Sequence, residues 1–136
     1  MSIEIKQSVI QEMIDHAKAL TPVESCGYLV GENGVVTTLH KMTNIDHSPE
    51  HFTFDPKEQF AVVKSARAAN QTVMGVYHSH PESPARLSEE DLRLLNDPNM
   101  VYIIVSLWQE KPDVKAYKIL KNDQVIHVES VPIKGV

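Results

Sequence analysis

Tyr77-His78-Ser79-His80-Pro81-Glu82-Ser83-Pro84-Ala85-Arg86-Leu87-Ser88-Glu89-Glu90-Asp91 is the most informative stretch of this 136-residue chain. In an extended strand, residues i and i+2 point to the same face, so His78 and His80 can aim both imidazoles at one point. Ser88-Glu89-Glu90-Asp91, followed by Leu92-Arg93-Leu94-Leu95, reads as a helix start with Ser88 as N-cap and an acidic first turn. Such a start holds the Ser88 and Asp91 side chains rigidly, as a metal site requires. Asp91 then offers a third, oxygen ligand. A His-x-His pair or a cap alone is ordinary; together they give three N/O ligands and one open position. That is the stoichiometry of a catalytic rather than a structural zinc site. The stretch predicts a zinc hydrolase.

Outward from this stretch, a short strand at Ile3–Ile5 leads into a helix from about Ser8 to Leu20. Val9, Ile10, Met13, Ile14, Ala17 and Leu20 form its apolar stripe. Thr21-Pro22 ends it, because the residue before proline avoids the α region. Strands follow at Cys26–Val30 and Val35–Met42, joined by a Glu32-Asn33-Gly34 turn. Asp55 caps a second helix with Pro56 at its first position and Glu58 closing the box, running to about Ala69. The strand Thr72–His78 brings the first ligand. After a helix over Ser88–Asn96, Met100–Val105 is nearly all apolar and reads as a central, doubly covered strand. Val114–Leu120 and Gln124–Val131 read as a final hairpin. The order predicts an α/β or α+β fold with a mixed β-sheet flanked by helices, in a single domain over residues 1–136 with no repeat or low-complexity linker.

Hydrophobic residues make up 42% and charged residues 23%, an ordinary globular composition that argues against disorder. A net charge of −5 and the lack of a basic cluster argue against nucleic acid as a partner. No apolar run reaches the length of a membrane span. The first residues lack the apolar stretch of a secretory signal. One cysteine, Cys26, excludes an internal disulfide and fits a reducing compartment. These features together predict a cytoplasmic protein; they say nothing of its oligomeric state.

His-x-His-x7-Ser-x2-Asp with an upstream glutamate is similar to the signature of the JAMM (MPN-plus) metalloproteases. It is met here without a gap by His78, His80, Ser88 and Asp91. The stretch Pro22-Val23-Glu24-Ser25-Cys26-Gly27-Tyr28-Leu29-Val30-Gly31 resembles the Glu-x-Cys-Gly-x-Leu-x-Gly element of small prokaryotic members. The resemblance implies a cytidine-deaminase-like three-layer fold and zinc held by His78, His80 and Asp91. It further implies a water at the fourth position with its pKa lowered towards about 7. It also implies Glu24 as general base and then general acid, and Ser88 as oxyanion donor.

The substrate implied is a ubiquitin-like or sulfur-carrier protein, cut after its Gly-Gly, with the extended glycines entering a narrow groove by β-augmentation. The alternatives are a deconjugating isopeptidase for a ubiquitin-like modifier and a RadC-like, DNA-repair-associated protein without peptidase activity. Against the latter stand Glu24 in its Glu-x-Cys-Gly context, the negative charge and the lack of a helix-hairpin-helix module. A non-catalytic scaffold does not fit an intact motif. His40, His47, His51 and His127 lack ligand spacing, although the polar stretch Asn44–His51 can border a substrate groove. Cys26 reads as a packed strand thiol, and Trp108 as either a core or an interface aromatic.

Overall fold

The computed structural model describes residues 1–136. In chain order the elements are β1 Ile3–Ile5, α1 Gln7–Leu20, β2 Cys26–Glu32, β3 Val35–Met42, α2 Pro56–Ala68 and β4 Thr72–His80. They continue with α3 Glu89–Leu94, β5 Val101–Ser106, β6 Asp113–Asn122, β7 Val125–Val131 and β8 Ile133–Gly135. One eight-stranded sheet has the order β7-β6-β5-β4-β2-β3-β1-β8. It is mixed: β4 runs parallel to β5, and β1 parallel to both β3 and β8, while the other neighbours are antiparallel.

Two apolar cores sandwich this sheet. On one face, Val9, Met13 and Ala17 of α1 pack on Ile5, Leu29, Val36, Tyr77, Ile103 and Val105. On the other, Val62 and Ala66 of α2 pack on Val30, Val76, Tyr102 and Ile119, with Leu92 and Leu95 at its margin. Alternation along β4 therefore sends Tyr77 to the α1 face, and Val76 and the ligand histidines to the α2–α3 face. β5 is buried throughout, as its apolar run predicts. The Asn33-Gly34 turn has positive φ at both residues (53° and 78°), as a two-residue hairpin of primed type requires.

The structure departs from the sequence reading in several places. β4 continues to His80, so both histidines lie on the strand. α3 is shorter than expected, because Leu95 already has extended backbone (ψ 112°). Leu20 is 39% exposed and lies outside the α1 stripe. Asp55 caps α2 by accepting the Lys57 amide at 2.9 Å, but Glu58 does not close the box. Its carboxylate instead accepts from the amide and hydroxyl of Thr43, at 2.7 and 2.8 Å, and ties α2 to the end of β3. β8 was not expected. No helix is long and apolar enough to cross a membrane.

Candidate metal centre

Three side chains from two elements converge beneath α3. The Nε2 atoms of His78 and His80 are 3.1 Å apart. Asp91 brings Oδ1 to 3.2 Å from His78 Nε2 and Oδ2 to 3.1 Å from His80 Nε2. All three residues are buried, and their ligand atoms lie within 4.8 Å of one another. The sequence brings them together through the i, i+2 geometry of β4 and a reciprocal cap. Ser88 Oγ accepts the Asp91 amide, and Asp91 Oδ2 accepts the Ser88 amide, each at 3.0 Å. The cap contributes about 1 kcal/mol to the helix start and locks the carboxylate's orientation.

The ring hydrogens suit a metal. His80 Nδ1 lies 2.9 Å from the Pro84 carbonyl, which can only accept, so Nδ1 carries the hydrogen and Nε2 presents a lone pair. Asp91 adds further lone pairs, and a cation at the common point would satisfy all three atoms at once. Two imidazoles and a carboxylate with an open side are a donor set that fits zinc. Burial works to raise the Asp91 carboxyl, but its bonds to His78 and His80 and to the Ser88 amide hold it well below the carboxylate range. Burial lowers His78, against the pull of Asp91, so the ring favours its neutral, ligating form.

His78 is oriented by stacking. Phe52 lies over its ring with centroids 4.8 Å apart and planes at 25°. Phe54 stands 5.5 Å from Phe52, and Tyr28 lies 4.9 Å from Phe54, so the aromatic run reaches from β2 to the ligand. His78 Nδ1 is buried with no protein partner. Cys26 pairs across from His78 on the same face, with Sγ 3.8 Å from the Met42 carbonyl. Burial, with Glu24 and Glu58 nearby, pushes its thiol up to about 12, which keeps it protonated and packed rather than nucleophilic.

Glu24 stands in the segment between α1 and β2, only 2% exposed, and its Oε1 has no hydrogen-bond partner. It lines the same cleft of about 960 Å³ as His80 and Ser88. Burial and then the charges of Asp91, Glu90 and Glu50 push its carboxyl up to about 9. Its backbone is pinned on every side. The Glu24 amide donates to the Ser48 carbonyl at 2.9 Å, and its carbonyl accepts from Asn44 Nδ2 at 3.1 Å. The next residue, Ser25, donates its amide to Ser79 Oγ at 2.8 Å and accepts the Ser79 amide at 3.0 Å. Tyr77 then donates its hydroxyl to Ser25 Oγ at 2.8 Å, with His16 of α1 bonded to the same hydroxyl. Gly27 makes room for that ring: a Cβ there would lie 3.2 Å from Tyr77 Cε1 and 2.5 Å from the His40 carbonyl.

The structure thus brings together Glu24, His78, His80, Ser88 and Asp91. The 44–51 stretch borders the cleft through Pro49 and Glu50, not through its histidines. His51 pairs with Asp46 at 2.9 Å, and His47 lines a separate hollow with His16 and Lys41. Trp108 is 57% exposed and outside the core. β4 is paired along both edges, so strand addition onto the ligand strand is not available to a peptide. Sequence reasoning missed Asn44, Phe52 and the His16–Tyr77–Ser25–Ser79 chain. Ser25, Tyr77 and Ser79 carried only their place inside the motif stretches, Asn44 only its place in the polar 44–51 stretch, and His16 and Phe52 no signal at all.

A family model described as prokaryotic homologs of the JAB domain matches residues 6–120. A CysO-cysteine peptidase of Mycobacterium tuberculosis is 29% identical over 85% of this chain and 82% of its own. A desampylase of Pyrococcus furiosus is 30% identical over 80% of this chain and 76% of its own. A protein of Desulfitobacterium hafniense, solved in solution, superposes with a TM-score of 0.83 at 37% identity, covering 98% of this chain and 94% of that one. A structure presented as JAMM, a metalloprotease-like zinc site in the proteasome and signalosome, gives 0.63 at 25% identity, covering 100% and 99%. Motif, mixed sheet and convergent side chains agree with these matches, and the chain belongs to the prokaryotic JAB-domain family, of the JAMM type.

Proposed function

We propose that this chain is a zinc metallopeptidase that hydrolyses the bond following the C-terminal Gly-Gly of a ubiquitin-like or sulfur-carrier protein. The observation that carries this reading is the partnerless, buried Oε1 of Glu24 in a cleft also lined by His80, one of the three converging side chains His78, His80 and Asp91. Relatives named for peptidase and desampylase activity support hydrolysis, and the diglycine element rests on the JAMM resemblance. Apart from Pro49 the cleft is lined by polar and charged residues, which suits a segment without large apolar side chains.

Zinc, held by His78, His80 and Asp91, would supply Lewis acidity at the scissile carbonyl and acidify a water. The Glu24 carboxyl would be drawn down from about 9 towards ionisation by the charge of a bound cation. The carboxylate then accepts a proton from the attacking water as the water oxygen bonds to the glycine carbonyl carbon. Glu24 then delivers that proton to the departing amine as the C–N bond breaks. Ser88 Oγ accepts the Asp91 amide, so its own hydrogen is free to donate to the developing oxyanion. Asn44, Ser48 and Ser79 hold the peptide on either side of Glu24, so little reorganisation accompanies proton transfer. A cleft walled by five glutamates and one arginine is a poor surface for nucleic acid.

A deconjugating isopeptidase is the second reading, favoured by the desampylase relative. Mass spectrometry of a carrier extended beyond Gly-Gly, alongside the same carrier with Ala-Ala, tests the first. Release of the extension from the Gly-Gly carrier alone is expected. Equal cleavage of both, or of unrelated unfolded peptides, would replace it with a general peptidase.

A further inference from the structure

The wall of the cleft is far more acidic than the function above requires. Its charged lining is Glu24, Glu50, Glu82, Glu89, Glu90 and Arg93, with no hydrophobic residue among the ten that line it. With Glu24 set aside, because its carboxyl is pushed up to about 9, four glutamates against one arginine leave three negative charges net, in a chain that carries −5. The arginine lies 3.8 Å from Glu90 in an exposed i, i+3 pair, so it offsets part of that one charge and leaves Glu50, Glu82 and Glu89 without an ion-pair partner. A divalent cation held with Asp91 would cancel one of the three. Concave walls of one sign focus the field and concentrate ligands of the opposite sign. Glu24, which lines the cleft, has a buried oxygen with no hydrogen-bond partner.

The position of the wall narrows the choice of occupant. Glu24 is the group that would protonate the leaving amine, so the leaving residue lies beside it. Glu50 and Glu90 line the same cleft as Glu24, and with Asp91 theirs are the charges that act on its carboxyl, so a residue leaving beside Glu24 meets both.

We propose that Glu50 and Glu90 select a cationic leaving segment, one with lysine or arginine directly after the scissile Gly-Gly bond. This rests on the diglycine reading and deepens it. Charge gives selectivity mainly through encounter and orientation, so the effect resides in kcat/KM and weakens with salt.

The test uses the zinc-loaded enzyme and a carrier ending Gly-Gly-Lys-Lys, Gly-Gly-Ala-Ala or Gly-Gly-Glu-Glu. Cleavage is read by mass spectrometry. Binding of the same three tails as labelled peptides is read by anisotropy on the Glu24→Gln enzyme. The expected order is lysine, alanine, glutamate, with roughly tenfold between the ends at low salt and convergence by about 0.5 M. In Glu50→Gln/Glu90→Gln enzyme the lysine-to-glutamate ratio should collapse. If all three carriers are cut with ratios within about twofold, or the glutamate tail is preferred, the charge assignment is overturned and the diglycine reading stands. If no carrier is cut, yet the lysine peptide binds more tightly and the double variant abolishes that preference, the diglycine reading falls and the charge assignment stands. Equal binding of the three peptides, or a preference that survives in the double variant, overturns the assignment.

Discussion

The hydroxyl of Ser79 accepts the backbone amide of Ser25 at 2.8 Å, across 54 residues of chain. Ser79 lies between the two histidines of β4, and Ser25 directly follows Glu24. The metal ligands and the proposed base are therefore tied through the back of one strand. Ser79→Ala leaves the buried Ser25 amide unpaired, a cost of about 1–3 kcal/mol in stability. On the proposed mechanism kcat should fall about tenfold or more while KM and zinc content are kept, because Glu24 alone is loosened. Tyr77→Phe, which removes the bond to Ser25 Oγ, should act in the same direction and more weakly. Steady-state kinetics with metal analysis separates this from loss of metal.

Phe52 stacks on His78 and fixes a ring whose far nitrogen has no protein partner. Phe52→Ala should therefore weaken zinc retention about 10–100-fold, the usual consequence of removing support from a ligand. Competition with a chelator measures this directly. An affinity equal to the parent's would show that β4 alone orients His78.

On the proposed mechanism Ser88 has two separable duties. Ser88→Ala should cost about 1 kcal/mol of stability through the lost cap and about 10²–10³-fold in kcat through the lost oxyanion donor. Glu24→Gln should keep zinc and lose roughly 10²–10⁴-fold in rate. A Glu24→Gln enzyme as active as the parent would place the base elsewhere.

Glu24 also predicts a pH dependence of the zinc-free protein. Its carboxyl lies at about 9 in the fold against an ordinary 4.5, so the folded state holds the proton more tightly than the unfolded chain. The stability it contributes is complete below about pH 4.5 and is lost as pH rises towards 9. The Tm should fall across that window, and Glu24→Gln, which cannot ionise, should fall less steeply. Parallel curves for the two proteins would contradict the assignment.

The half of the site that is local in sequence was legible. His78 and His80 follow from strand alternation, and Ser88 and Asp91 from the grammar of a helix start. Glu24, more than fifty residues upstream, came from the JAMM resemblance, because a lone carboxylate in a loop carries no periodic signal. Asn44, Phe52 and Tyr77 were illegible for a related reason: what they touch is set by strand order, and the order β5-β4-β2-β3 cannot be read from element patterns. β8 follows Pro132 directly and has three residues, too few for alternation to register. α3 stopped early because the segment before Asp97-Pro98 turns extended sooner than its leucines suggest.

The central claim is that His78, His80 and Asp91 hold zinc, and metal analysis of the purified protein tests it most directly. The account predicts one zinc per chain, lost in His78→Ala and in Asp91→Ala while the far-ultraviolet circular dichroism of the fold is retained. Protein that carries no zinc, and takes up none through these residues when zinc is added, would contradict it.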